Sequence, residues 1–231
     1  MEFGRAFDYV FKDRSWISKV LIGGLLSLTF ILLPSMVGYT VDTARQVRDD
    51  NDLPLPEWGE DFGGRWIRGL TLIIGTFVWG LVISLPVICL AMIFGLAAAG
   101  AGNNQAGAAE GVFAALGLIL NCLSIPLSIL GSLVAPAVYV QYINRGTFGS
   151  MFQVGEVIRH MSSDWNRYLL VFVLTLVAGF ISGLGAIACG IGLIFTVPYA
   201  QLILAHLVGQ LARERQGGTG GLSTGYIMDP R

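Results

Sequence analysis

Residues 69–100 read GLTLIIGTFVWGLVISLPVICLAMIFGLAAAG, an apolar run with no charged side chain. A helix needs about 20 apolar residues to cross the hydrocarbon layer of a bilayer, so this run is longer than one crossing requires and too long for a buried helix of a soluble domain. Three more such runs, residues 20–41, 111–143 and 168–211, flank it. The last is long enough for two helices, with Gly183, Gly185, Gly190 and Gly192 marking the turn between them. Pro86 and Pro126 are the expected kinks in the two long middle helices. Composition agrees: 54% of the 231 residues are hydrophobic, 13% are charged, and mean hydropathy is +0.69. A formal net charge of −1 provides no basic field for nucleic acid.

Lys and Arg occur in four groups: Arg5, Lys12, Arg14 and Lys19; Arg45, Arg48, Arg65 and Arg68; Arg145, Arg159 and Arg167; and Arg213, Arg215 and Arg231. Cytoplasmic loops are enriched in these residues. The linker 101–110 and the turn near Cys189 carry none, which makes them the outer loops and both termini cytoplasmic in the plasma membrane. Because cations flank residues 20–41 on both sides, an even number of crossings is expected there. The fold class is therefore all-α, a polytopic transmembrane bundle of six helices in three hairpins, at about residues 16–33, 34–48, 69–100, 111–143, 168–188 and 191–213. Pro34 would open the second helix. Five crossings, with a frustrated first segment or a re-entrant dip, is the alternative.

Apolar stripes at helical spacing mark two short cytoplasmic interfacial helices, at 3–13 (Phe3, Ala6, Phe7, Val10, Phe11) and 148–161 (Phe148, Met151, Phe152, Gly155, Ile158). Residues 1–215 form one transmembrane domain, and the Gly-rich stretch 216–231 reads as a flexible cytoplasmic tail. A weak threefold repeat runs through the chain. Asp13, Trp16 and Lys19, then Asp61, Trp66 and Arg68, then Asp164, Trp165 and Arg167, each precede an outward helix, and the Trp and cation of each set are candidate interfacial anchors.

Polar side chains inside apolar helices are costly in lipid and face the bundle interior. Tyr199, His206 and Gln210 share one helical face; Tyr39 and Asp42 lie at the end of an earlier helix; Tyr139, Gln141 and Tyr142 cluster on another. Converging, they would line a polar cavity open to the cytoplasm, whereas interhelical hydrogen bonding is the plainer account of the same stripes. Enzyme motifs are nearly absent. Gly221, Ser223 and Gly225 match G-x-S-x-G, but the tail offers no strand and helix to form a nucleophile elbow. Two histidines and three scattered cysteines, Cys89, Cys122 and Cys189, point to neither a metal site nor a disulfide framework. No catalytic residue and no cofactor are expected. Gly179 with Gly183, and Gly131 with Ala135, have the small-xxx-small spacing that lets helices approach closely.

The sequence FGRAF at 3–7, FKD at 11–13, Trp16, Lys19, LIGGLL at 21–26, Gly38, Tyr39, Arg45 and LPEW at 55–58 resembles a bacterial and archaeal family of multi-pass membrane proteins catalogued as domain of unknown function four-zero-one-three. The resemblance implies a membrane location and a helical fold, and brings no activity, substrate or catalytic residue. Two functions remain open. One is a non-enzymatic accessory or scaffold component that meets membrane lipids and packs against a membrane-protein partner or a second copy of itself. The other is a small-molecule or lipid transporter built around the polar stripes.

Overall fold

The computed structural model describes residues 3–51, 55–100, 106–187 and 192–220. These form eight α-helices and a short 3-10 turn, with no strand among the described residues. The helices are α1 (Phe3–Lys12), α2 (Trp16–Leu28), α3 (Leu33–Arg48), α4 (Phe62–Gly100), α5 (Ala106–Arg145), α6 (Val154–Ser163), α7 (Trp165–Ile187) and α8 (Leu193–Gly220). The 3-10 turn, Phe148–Phe152, precedes α6. Parts of the linker 101–110, the turn at Cys189, and the tail with its Gly221, Ser223 and Gly225 lie outside the described residues.

Local chemistry sets the helix boundaries. Asp13 accepts the backbone N–H of Ser15 at 2.8 Å just before α2, and Asp61 accepts that of Gly64 at 3.2 Å as α4 opens. That second cap starts α4 at Phe62, ahead of the apolar run, and draws Arg65 and Arg68 into its first turns. α2 stops at Leu28, short of the expected residue 33, because Thr29 turns extended (φ −97°, ψ 111°). Pro34 then sits in the first turn of α3, where its missing N–H removes no helical bond. α5 ends on Gly146 at φ +69°, a left-handed cap that glycine adopts without strain.

Four helical segments are long and apolar enough to cross a membrane: Phe62–Ala97, Ala114–Arg145, Trp165–Gly185 and Leu193–Arg215. α2, at 13 residues, is shorter than that.

The chain divides into two compact units, Met1–Gly75 with Pro136–Arg231, and Thr76–Ala135. Within the first unit α8 is the hub, packed by α1, α2, α3 and α7. Tyr9, Val10, Val20, Tyr39, Leu55 and Leu202 form a buried apolar cluster, edged by Trp16, Trp58 and Tyr199. Close backbone approach needs glycine where α3 meets α4. A Cβ on Gly38 would strike the Arg65 carbonyl, and one on Gly69 would strike that of Pro34. Gly179 and Gly183, by contrast, have no neighbouring atom within 4 Å of where a Cβ would stand. The second unit is the remainder of α4 and α5.

Candidate functional site

The densest polar cluster of the first unit is built around Arg65, only 2% exposed. A buried guanidinium requires acceptors on several sides. Arg65 donates to Asp42 at 3.1 Å and to the carbonyls of Glu57 at 3.2 Å and Trp58 at 3.4 Å. Its charge also lies over two aromatic rings, 5.3 Å from that of Tyr39 and 5.5 Å from that of Trp58. Those rings stack on each other at 4.3 Å and 11°. The Tyr39 hydroxyl donates to the Pro56 carbonyl at 3.0 Å, and the Trp58 indole N–H to that of Lys19 at 3.0 Å. The segment LPEW, residues 55–58, is thus strapped across α2, α3 and the start of α4.

Ion pairs extend the cluster on both sides. Asp42 also pairs with Arg68 at 2.9 Å, and Arg68 with Asp61 at 2.9 Å. Lys19, 6% exposed, pairs with Asp13 and with Glu57 at 2.7 Å each, and donates to the Leu55 carbonyl at 3.0 Å. Burial alone would raise the Asp13 carboxyl, but hydrogen bonds from Lys19 and Ser15 outweigh it and hold Asp13 below its usual value. The Arg68 hydrogen bond holds Asp61 below its own.

The remaining candidate side chains lie in two further places. On α5, Gln141 donates to Gln153 at 3.2 Å, and the Tyr142 hydroxyl donates to the Arg68 carbonyl at 3.3 Å beneath the Arg45 guanidinium. The Tyr139 hydroxyl hydrogen-bonds the Thr40 side chain. On α8, the Tyr199 hydroxyl donates to the Phe7 carbonyl at 3.0 Å. His206 stacks on Tyr9, ring centres 4.5 Å apart, and its Nε2 lies 2.9 Å from the Gln210 carboxamide nitrogen. Tyr39 belongs to the apolar cluster that Tyr199 edges, and lies near Asp42 on α3; Tyr139, Gln141 and Tyr142 are on α5, and His206 lies under α1 with Gln210 bonded to it.

Among the candidate anchors, Trp16 packs edge-on against Phe11 and the Trp66 indole donates to the Ile31 carbonyl at 2.9 Å. Trp165 is 46% exposed and Arg167 pairs with Glu214 at 2.5 Å. Each aspartate of the three openings pairs with its own cation: Asp13 with Lys19 at 2.7 Å, Asp61 with Arg68 at 2.9 Å, and Asp164 with Arg167 at 4.0 Å. Sequence reasoning counted Arg65 only as a cytoplasmic charge and did not connect it to Tyr39. The available signal was the LPEW segment, whose Trp ring and carbonyls can receive a cation. Among the described residues, no three His, Cys, Asp or Glu side chains are grouped to hold a metal ion.

The second unit contains a groove of about 310 Å³ between α4 and α5. Ile83, Val87 and Leu127 line it together with the small residues Gly80, Ser84, Ser124, Ser128 and Gly131. Its serine hydroxyls are turned back onto their own helices: Ser84 donates to the Leu81 carbonyl at 3.3 Å, Ser124 to that of Asn121 at 2.7 Å and Ser128 to that of Ile125 at 2.7 Å. The groove therefore presents carbon, with no unmet polar group on its serines.

The described residues are helical with no strand, and four of their segments are long and apolar enough to cross a membrane, which places the chain in the α-helical membrane-protein class. The chain belongs to the family of proteins of unknown function DUF4013, whose model matches residues 21–191. No curated protein and no solved structure matches the chain.

Proposed function

We propose that the protein is a non-enzymatic accessory or scaffold component of the plasma membrane, which packs against membrane partners through the α4–α5 pair. The carrying observation is the groove. In lipid, helices associate by close van der Waals packing, which small residues permit. Gly80 and Ser84 on one wall, with Ser124, Ser128 and Gly131 on the other, leave room for the side chains of another helix. No residue of α4's most apolar stretch is buried within the chain, whereas 44% of α8's is. The polar stripes support this reading over transport, because Tyr39, Gln141, Tyr142 and Tyr199 each direct a donor at an acceptor of the protein. The test is purification of the tagged protein from its own membranes in mild detergent, with mass spectrometry of what accompanies it. A stoichiometric protein component, or a second copy of the chain, is expected. A bound small molecule on a monomer would favour transport.

The topology that fits this role has four crossings, with α2–α3 as a re-entrant hairpin and both termini cytoplasmic. α2 spans roughly 20 Å at about 1.5 Å per residue, against about 30 Å of hydrocarbon. In α3 only nine residues precede the first charged one, Asp42. The exposed apolar side chains gather toward the tip, with Leu28 64%, Phe30 89% and Ile31 74% exposed, while Lys19 and Asp42 occupy the base.

A further inference from the structure

We propose that the partner at the α4–α5 groove is a second copy of this chain, held by reciprocal hydrogen bonds between the two Asn121 carboxamides. The proposal rests on the accessory reading above and names its partner. Asn121 lies within the apolar segment Ala114–Arg145, its side chain exposed among Leu118, Ile119 and Ile125, which are 67%, 61% and 56% exposed. No described residue offers its side chain a hydrogen bond. A carboxamide in hydrocarbon without partners is costly, so its position calls for a group that arrives from outside the protomer.

Position and chemistry identify that group. Asn121 precedes Ser124, Ser128 and Gly131 by three, seven and ten residues, so one face of α5 carries the carboxamide and then the groove wall. A lipid acyl chain fits the groove but has neither donor nor acceptor for Asn121. A carboxamide carries both, and two related by a twofold axis satisfy each other with two N–H to O bonds, the self-complementary arrangement of an isologous interface. A single asparagine in an apolar helix seam fixes register and oligomeric state in the same way. The small residues beside it, with their hydroxyls already bonded, let two α5 helices come close enough for the carboxamides to meet.

The experiment uses the full chain with Cys89, Cys122 and Cys189 replaced by alanine and Ser128→Cys introduced, oxidised in native membranes. A crosslinked species of twice 24.8 kDa is expected. In lipid vesicles, dimerisation followed by energy transfer between labelled copies should weaken about tenfold on Asn121→Leu, the size expected for losing a pair of intramembrane hydrogen bonds. Asn121→Gln should retain most of the affinity. The melting temperature of the protomer should be unaffected, since Asn121 bonds nothing within it. A crosslink to a different protein would overturn the second-copy proposal and leave the accessory role standing; a monomer with no crosslink would overturn both. A dimer indifferent to Asn121→Leu would overturn this interface.

Discussion

Arg65 shows what one side chain does in this protein. It touches α3 through Asp42 and the Tyr39 ring, and the 55–58 strap through two carbonyls and the Trp58 ring, so removing it leaves Asp42 with Arg68 alone and two carbonyls without their donor. Breaking a buried pair from one side costs about 3–5 kcal/mol, and Arg65→Met is expected to lower stability in detergent by that amount. Arg65→Lys should recover little, because one ammonium cannot reach three acceptors and stack on two rings. A melting series with Asp42→Asn and the double variant checks it: the coupling between the two sites should be large, and additive losses would show that the ion pair contributes nothing. The same cluster sets an acid limit. Asp13 is held below its usual value of 3.8 in the folded chain, so its pairing with Lys19 stabilises fully above that value and is lost as pH falls through the folded one. Asp13→Asn should therefore melt lower than the parent at neutral pH, with the gap closing below about pH 4. Tyr39 and Asp42 were visible in the sequence as polar groups at a helix end, and Trp58 as part of the LPEW segment. Their mutual contacts were not, since Asp42 and Arg65 meet only once the strap has folded back.

Glycines divide sharply at the level of elements. The spacing of Gly179 and Gly183 suggested close helix contact, yet the chain places no atom near either, while the α3–α4 contact falls on Gly38 and Gly69. Spacing identifies which faces can approach, and only the packed partner decides which do. Gly69→Val should cost about 1–3 kcal/mol, because its side chain would strike the Pro34 backbone, which cannot rotate away. Gly179→Val, into open space, should leave the melting temperature within about a degree of the parent. Equal losses would mean that α7 is packed by something outside the chain. Helix positions were readable because apolar length and the caps at Asp13 and Asp61 are local signals. The early end of α2 was not, because residues 20–41 form one unbroken apolar run and the turn at Thr29 carries no glycine or proline of its own.

For the whole molecule, the apolar runs and the four groups of cations were sufficient to assign a helical membrane protein, but run length alone cannot distinguish a hairpin that crosses from one that turns back. Counts of four and six crossings both return the chain to the side on which it started, so the location of the termini cannot separate them and only the tip of α2–α3 can. A hairpin that turns back keeps Phe30 and Ile31 at the end where α4 begins, whereas a crossing hairpin delivers them to the opposite surface. The indole of Trp66, only four residues into α4 from Phe62, donates to the Ile31 carbonyl. That bond sets the hairpin tip level with the start of α4, which runs on to Gly100. In a cysteine-free background, Phe30→Cys is therefore expected to resist an impermeant thiol reagent added outside sealed vesicles. Asn103→Cys should label from outside and Ser162→Cys only from inside, which fixes the two faces for comparison. Labelling of Phe30→Cys from outside at the rate of Asn103→Cys would establish six crossings and place α2 and α3 among them.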